Sequence, residues 1–260
     1  ILARDAAVNV REKVARNPAT PASSLRELVE DANKSVRESL ALNEAAPLEC
    51  LGQLATDVEE VVRWAVASNE LTPQAELQAL ASDPEGRVVV GVARNLSTPP
   101  KVLQELALVQ TGYVRSAVAS NRATPPTALQ ELALDQDVWI RSDVASNPST
   151  PPAVLQVLSL DDTKTRLGHC AVRLAVAKNP LADTKLLEKL ALDQDVEVRV
   201  AVGANLASPS SLLEQLSTDN GWTKYAGPEV RLAVAKNPNT ASTVLQALAL
   251  DQSIHWSRGA

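Results

Sequence analysis

The side chains that could carry out chemistry are scarce, and a histidine next to a cysteine is the first pair to consider. His169 and Cys170 lie in the segment DTKTRLGHCA. Such a pair could supply a nucleophile with its base, or two ligands of a metal ion. Adjacent side chains seldom point at one atom, and the segment lacks the further ligands that a zinc site requires. We therefore predict no catalytic residue, no metal site and no cofactor.

Arginine and aspartate recur in two matched rows. In eight copies of a repeated pattern an arginine is followed twenty residues later by an aspartate, and one copy has Val89 and Val109 at these places. The joint loss of both charges predicts that they pair within one copy, as a partly buried, bidentate ion pair that fixes the register of the repeats. The alternative is an arginine row that binds phosphate or nucleic acid. The pairs are Arg11 with Asp31, Arg37 with Asp57, Arg63 with Asp83, Arg115 with Asp135, Arg141 with Asp161, Arg173 with Asp193, Arg199 with Asp219 and Arg231 with Asp251.

Aromatic side chains are rare and concentrate at one place in the pattern. The chain has no phenylalanine, two tyrosines and four tryptophans. Two six-residue insertions enter the loop between successive copies, and several of the rings lie in or beside that loop. Exposed tryptophan and tyrosine are common anchors of protein interfaces, although such rings also cover gaps between loops and helices. The predicted partner-binding edge consists of Tyr113, Trp139, His169, Cys170, Trp222 and Tyr225.

A repeat marked by asparagine positions these residues. The successive asparagines are 26, 26, 26, 26, 26, 32, 26 and 32 residues apart. A short unit cannot bury its apolar face alone, so this constancy predicts a stack of about nine repeats of 26 residues. The repeats are centred on Asn17, Asn43, Asn69, Asn95, Asn121, Asn147, Asn179, Asn205 and Asn237.

Each repeat contains the patterns of two short helices. Before the asparagine, apolar residues that are four apart share a face and predict an inward-facing helix A. The asparagine is expected to end helix A in the left-handed conformation, with a proline such as Pro18 after it. A threonine and a proline, for example Thr98 and Pro99, then predict the N-cap and the first residue of helix B. Leucines three apart, such as Leu103 and Leu106, form its core-facing stripe.

The pattern VRxAVAxNPxTPxxxLQxLAxD resembles the leucine-rich repeat variant family. The resemblance covers about Val10 to Asp251, nearly the whole chain. It implies an all-α, right-handed solenoid of paired helices, one of each pair sometimes 3₁₀-like, without a β-sheet. One founding type of the family carries an N-terminal iron–sulfur module, which needs clustered cysteine ligands, and this sequence has only the distant Cys50 and Cys170. For the repeats themselves, the family implies neither common catalytic residues nor a common ligand.

Composition and charge limit the kind of partner. A net charge of -6 and a pI near 5.1 argue against a nucleic-acid binder, which needs a basic face. No apolar run approaches the ~18–20 residues of a membrane span, and two isolated cysteines indicate a reducing cytoplasm. We therefore expect a single solenoid domain over residues 1–260 that binds a protein or peptide and has no chemistry of its own.

Two other functions stay open at this point. A helical repeat array could bind nucleic acid, as HEAT-like DNA-repair proteins do, and its retention on DNA would then fall with salt. The chain opens on Ile1 and contains no methionine. It could therefore also be the scaffold part of a longer protein whose N-terminal cofactor or catalytic module is missing.

Overall fold

A computed structural model describes residues 2–165, 170–219 and 228–250 of the 260-residue chain. These residues form eighteen α-helices and a short 3₁₀-helix, Leu2–Arg4, and they contain no β-strand. The all-α fold of two-helix repeats is thus confirmed. No helix among the described residues is long and apolar enough to cross a membrane.

Helix A and helix B alternate along the chain. The A helices are α1 (Val8–Arg16), α3 (Lys34–Ala41), α5 (Glu60–Ser68), α7 (Gly86–Arg94), α9 (Gly112–Ser120), α11 (Val138–Ser146), α13 (Ala171–Lys178), α15 (Val196–Ala204) and α17 (Glu229–Lys236). The B helices are α2 (Ala22–Leu28), α4 (Leu48–Leu54), α6 (Gln74–Leu80), α8 (Pro100–Leu106), α10 (Pro126–Leu132), α12 (Pro152–Leu158), α14 (Thr184–Leu190), α16 (Ser210–Leu216) and α18 (Ser242–Leu250). Helices this short are marginal in isolation, so packing must supply their stability.

The chain divides into two compact units, Ile1–Ala128 and Leu129–Ala260. In the first unit each A helix packs against the A helix of the next repeat, from α1 to α9, and in the second the same holds from α11 to α17. Most B helices lie between their own A helix and the following one. The description of residues 1–260 as a single domain stays a prediction.

The core consists of small and branched aliphatic side chains at the repeated positions. Val62 and Val88 are fully buried on successive A helices, and Leu51 and Leu77 are fully buried on successive B helices. Where two A helices meet, the space is tight, because a Cβ added at Gly91 would lie 3.0 Å from the Cβ of Ala67. Thin layers of this kind are filled without large rings.

Helix A ends differently from the sequence prediction. The terminal asparagine is extended, with φ −76° and ψ 118° at Asn17 and φ −69° and ψ 124° at Asn147. The predicted left-handed cap is therefore wrong. Both residues precede a proline, which disfavours the helical region for the residue before it. Asn69, which precedes no proline, is extended as well, so a second cause must act at that repeat.

Helix B begins one residue later than predicted. Pro99 is the N-cap residue, with ψ 140°, and the hydroxyl of Thr98 turns back to helix A. The Oγ1 of Thr98 donates to the carbonyl oxygen of Val92 at 2.6 Å, and Thr124 makes the same bond to Val118 at 2.6 Å. Because a helix leaves its last carbonyls unpaired, the threonine stabilises the end of helix A instead of the start of helix B.

Candidate partner-binding edge

The repeated asparagines connect consecutive repeats. Asn69 is buried, and its Nδ2 donates to the carbonyl oxygens of Ala41 at 2.6 Å and Asn43 at 3.0 Å, both in the preceding repeat. Its Oδ1 accepts from the backbone N–H of Leu71 at 2.9 Å. The donor bonds recur at Asn43, Asn95 and Asn121 in the first unit and at Asn179, Asn205 and Asn237 in the second. These contacts explain the extended backbone of asparagines such as Asn69 that precede no proline, because they direct the side chain toward the preceding repeat.

In the first unit the arginine and aspartate rows meet in pairs. The Nε of Arg63 lies 2.6 Å from the Oδ2 of Asp83, and its Nη2 lies 3.1 Å from Oδ1, so the contact is bidentate. Its Nη1 donates to the carbonyl oxygen of Asp57, in the preceding repeat, at 2.8 Å. The Arg63 and Asp83 side chains are 14% and 5% exposed. One arginine therefore holds its own repeat and the preceding one together. Arg11 with Asp31 and Arg37 with Asp57 have the same geometry.

The second unit contains the same pairs, although the Nη2 of Arg141 donates to the Oγ1 of Thr163 at 3.0 Å and not to Asp161. The Nε of Arg199 lies 2.6 Å from Asp219, and that of Arg141 lies 2.6 Å from Asp161. Arg173 pairs with Asp193 at 2.6 Å, and its Nη1 reaches across the insertion to the carbonyl oxygen of Asp161 at 2.7 Å. The longer loop thus leaves the link between repeats intact.

Two members of the ladder lie in different units. In the first unit, the Nη1 of Arg115 donates to the carbonyl oxygens of Val109 and Gln110 at 2.9 and 2.8 Å. Asp135 belongs to the second unit, and its pairing with Arg115 stays a prediction. Since Val109 takes the place of the ladder aspartate, the backbone link to the preceding repeat is kept where the carboxylate is lost.

The ion pairs shift the pKa values of their members. The hydrogen bond from Arg11 lowers the pKa of Asp31. Burial alone would raise the pKa of Asp83, but hydrogen bonds from Arg63 and from the backbone N–H of Glu85 outweigh it, and the pKa is lowered. The hydrogen bond to Asp83 raises the pKa of Arg63. These pairs are charged at neutral pH, and their arginines are engaged by carboxylates.

Tyr113 and Trp139 occupy the same position in consecutive repeats, as the second residue of α9 and of α11. Tyr113 is 83% exposed in the first unit, and Trp139 is 59% exposed in the second. The carboxylate of Asp137 accepts from the backbone N–H of Trp139 at 2.9 Å and fixes the start of α11. Both rings therefore offer apolar surface to solvent from a well-defined helix end.

The remaining predicted edge residues differ from these two. His169, Trp222 and Tyr225 lie outside the described residues. Cys170 is 2% exposed, its Sγ accepts from the Nη2 of Arg173 at 2.9 Å, and burial raises the pKa of its thiol. The Cys170 side chain thus packs against the ladder arginine Arg173 and is not accessible at the surface. Among the residues that the structure describes, no three His, Cys, Asp or Glu side chains are grouped to hold a metal ion.

One set of exposed leucines was not predicted from the sequence. Leu134, Leu160 and Leu192 each precede a ladder aspartate and are 76%, 65% and 85% exposed. The signal was present, because the core stripe of α10 uses Leu129 and Leu132 and has no place for a third leucine two residues later.

Helix pairs tied by asparagine and by arginine–aspartate contacts define an α-helical repeat protein. The chain is similar to a solved structure described as a leucine-rich repeat variant with a novel repetitive protein structural motif. The two are 26% identical over 90% of this chain and 88% of the other, with a TM-score of 0.57. The resemblance to the leucine-rich repeat variants is thereby confirmed.

A solved structure of an engineered protein is 15% identical over 93% of this chain and 87% of its own, with a TM-score of 0.35. That similarity is too low to bear on the fold. No family model and no curated protein matches the chain.

Proposed function

We propose that this protein is a non-catalytic scaffold of the cytoplasm that binds another protein or a peptide. Binding uses the B-to-A edge, which comprises the loops that join helix B of one repeat to helix A of the next, with the helix ends beside them. The observation that supports this proposal is the exposure of Tyr113 and Trp139, 83% and 59%, at one position of consecutive repeats. Large rings exposed at helix ends are typical anchors of protein interfaces.

The repeated polar side chains are less suited to bind a ligand. The side-chain amides of the buried asparagines, such as Asn69, donate to backbone carbonyls of the preceding repeat. Arg63 and Arg199 donate to carboxylates and to backbone carbonyls. Arginines held in this way have few N–H donors available to bind phosphate. The net charge of -6 also opposes nucleic-acid binding.

A pulldown that compares the wild-type chain with the double variant Tyr113→Ala/Trp139→Ala tests this function. The matched control is Leu206→Ala, because Leu206 is 68% exposed in a loop that follows helix A instead of preceding it. If each ring contributes as a hot spot, capture of the bound proteins falls by about tenfold or more in the double variant. An unchanged set of bound proteins would refute the proposal, and salt-sensitive retention on DNA would favour nucleic acid instead.

A further inference from the structure

An exposed leucine recurs along the B-to-A edge of the second unit. Leu134, Leu160 and Leu192 follow α10, α12 and α14 in three consecutive repeats and are 76%, 65% and 85% exposed. Single exposed leucines are ordinary on protein surfaces, whereas a row of them at one repeat position indicates a contact surface. We call these three residues the leucine ridge.

The three leucines have the same local geometry. The backbone N–H of Leu134, Leu160 and Leu192 donates to the carbonyl oxygen three residues earlier at 3.1, 3.1 and 3.2 Å. The next residue in each repeat is the ladder aspartate, and its carbonyl oxygen accepts from an arginine Nη1 at 2.6, 2.7 and 2.7 Å. The backbone of the ridge is therefore fixed by hydrogen bonds at each leucine and at the residue after it, so little conformational entropy is lost when a partner binds.

The fold does not require leucine at this position. In the first unit the equivalent residues are Glu30, Thr56, Ser82 and the exposed Leu108, and in the eighth repeat the residue is Thr218. The turn at Thr56 is the same, because its backbone N–H donates to the carbonyl oxygen of Gln53 at 3.3 Å. Since polar residues support the same turn, core packing does not explain the leucines of the ridge.

The spacing of the ridge suits an α-helix that lies along the edge. Consecutive A helices of the second unit pack against one another, and packed helices lie about 8–10 Å apart. The repeats, and one leucine with each of them, therefore follow each other at intervals on the order of 10 Å. An α-helix rises about 10.5 Å in seven residues. Apolar residues at every seventh position of such a helix would each contact one leucine of the ridge.

The charges beside the ridge favour a basic partner. Outside the ladder, the charged residues within four positions of the three leucines include the carboxylates of Asp137, Asp162, Glu188 and the half-buried Asp195 and the ammonium groups of Lys164 and Lys189. The four carboxylates thus outnumber the two ammonium groups. Arg173 contacts Asp162 at 2.8 Å. The charge of Arg173 is already balanced by Asp193 at 2.6 Å, so Arg173 does not remove the excess of negative charge.

We propose that the leucine ridge docks an amphipathic α-helix of a partner protein, with apolar residues at seven-residue intervals and lysine or arginine on its flanks. This proposal rests on the proposed function, because the ridge and Trp139 belong to the same edge. The two can fail separately, since the variants that remove the ridge leave Tyr113 and Trp139 in place.

Fluorescence anisotropy with a labelled synthetic 21-residue helical peptide of leucine and lysine tests the ridge. Replacement of Leu134, Leu160 and Leu192 together by Gln should weaken binding at least tenfold, and Leu206→Gln should leave it unchanged. A peptide with glutamate in place of lysine should bind at least tenfold more weakly. Because the three leucines are exposed, thermal unfolding of the triple variant should match the wild type.

Four outcomes would overturn the ridge proposal. These are wild-type affinity in the triple variant, equal weakening by Leu206→Gln, equal binding of the glutamate peptide, and no binding of the lysine peptide at all. A proline-containing lysine–leucine peptide that cannot form a helix should also bind poorly. If it binds as tightly as the helical peptide, an extended partner replaces the helix.

Discussion

At the scale of single residues, the buried asparagine supports the stack most directly. The Nδ2 of Asn69 donates hydrogen bonds to two carbonyl oxygens of the preceding repeat, at 2.6 and 3.0 Å. Buried polar groups are costly when they lose their partners. Substitution of Asn69 by Ala leaves both carbonyls without that donor, and we expect a loss of about 2–4 kcal/mol in the free energy of unfolding.

The nearly isosteric Asn69→Asp separates the donor from the shape of the side chain. It places an acceptor against two carbonyl oxygens and should destabilise more than Ala, as measured by urea unfolding. Asn17→Ala is the matched control: Asn17 is exposed and accepts the same turn bond from Ala19 at 2.9 Å. If Asn17→Ala costs as much as Asn69→Ala, the bonds between repeats do not matter.

The ion pair of Arg63 and Asp83 makes a second prediction at this scale. Either residue changed to Val leaves a mostly buried charge without its partner, at a cost of about 2–3 kcal/mol. The double variant resembles the fourth repeat, which has Val89 and Val109. It should cost less than the sum of the single variants by at least about 1 kcal/mol. Additive losses in urea unfolding would show that the two side chains do not stabilise each other.

Residue identity predicted some of these contacts and missed others. The constant twenty-residue spacing and the joint substitution at Val89 and Val109 were sufficient to pair arginine with aspartate. The bonds of Asn69 were missed, because their acceptors are backbone carbonyls, which every residue has and no sequence pattern marks. The burial of Cys170 was missed for a related reason, since it depends on Arg173 of the following helix.

At the scale of helices, periodicity predicted which segments are helical, and contacts between repeats decided where they end. Thr98 was expected to cap helix B, but its hydroxyl is recruited by the carbonyl of Val92. Local capping rules compare only the residues of one helix. They fail here because the end of helix A and the start of helix B compete for one hydroxyl.

Two glycines of α7 test how closely A helices approach. At Gly91 an added Cβ would lie 3.0 Å from Ala67 Cβ, 3.3 Å from Ser68 Oγ and 3.4 Å from Trp64 Cδ1, whereas at Gly86 nothing lies within 4 Å. Gly91→Leu should therefore destabilise the protein by about 1–3 kcal/mol, and Gly86→Leu should be neutral or slightly stabilising. Thermal unfolding of the two variants measures the difference, and equal midpoints would contradict the close approach.

At the scale of the whole molecule, the ion pairs act together in the response to pH. The pKa values of Asp31, Asp57, Asp83 and Asp161 are lowered from the ordinary aspartate value of 3.8. A group with a lowered folded-state pKa stabilises the fold above its unfolded pKa, and that stability is lost as the pH falls through the folded pKa. The unfolding temperature should therefore be flat from pH 7 to about 5 and fall steeply below about pH 4.

The double variant Asp57→Asn/Asp83→Asn is the control for this pH dependence. It should be less stable than the wild type at pH 7 and lose less stability on acidification, because two of the titrating pairs are gone. A decline as steep as that of the wild type would show that other carboxylates cause the acid unfolding.

The central claim is that the repeats form the frame and that the B-to-A edge binds the partner. Photo-crosslinking tests it most directly, with p-benzoylphenylalanine placed singly at position 113 or 139 and, as controls, at 71 or 206. The control positions carry Leu71 and Leu206, exposed leucines in loops that follow helix A. We predict crosslinks to a specific protein from 113 and 139 and none above background from 71 and 206. Equal crosslinking at all four positions, or crosslinks from 71 and 206 alone, would contradict the claim.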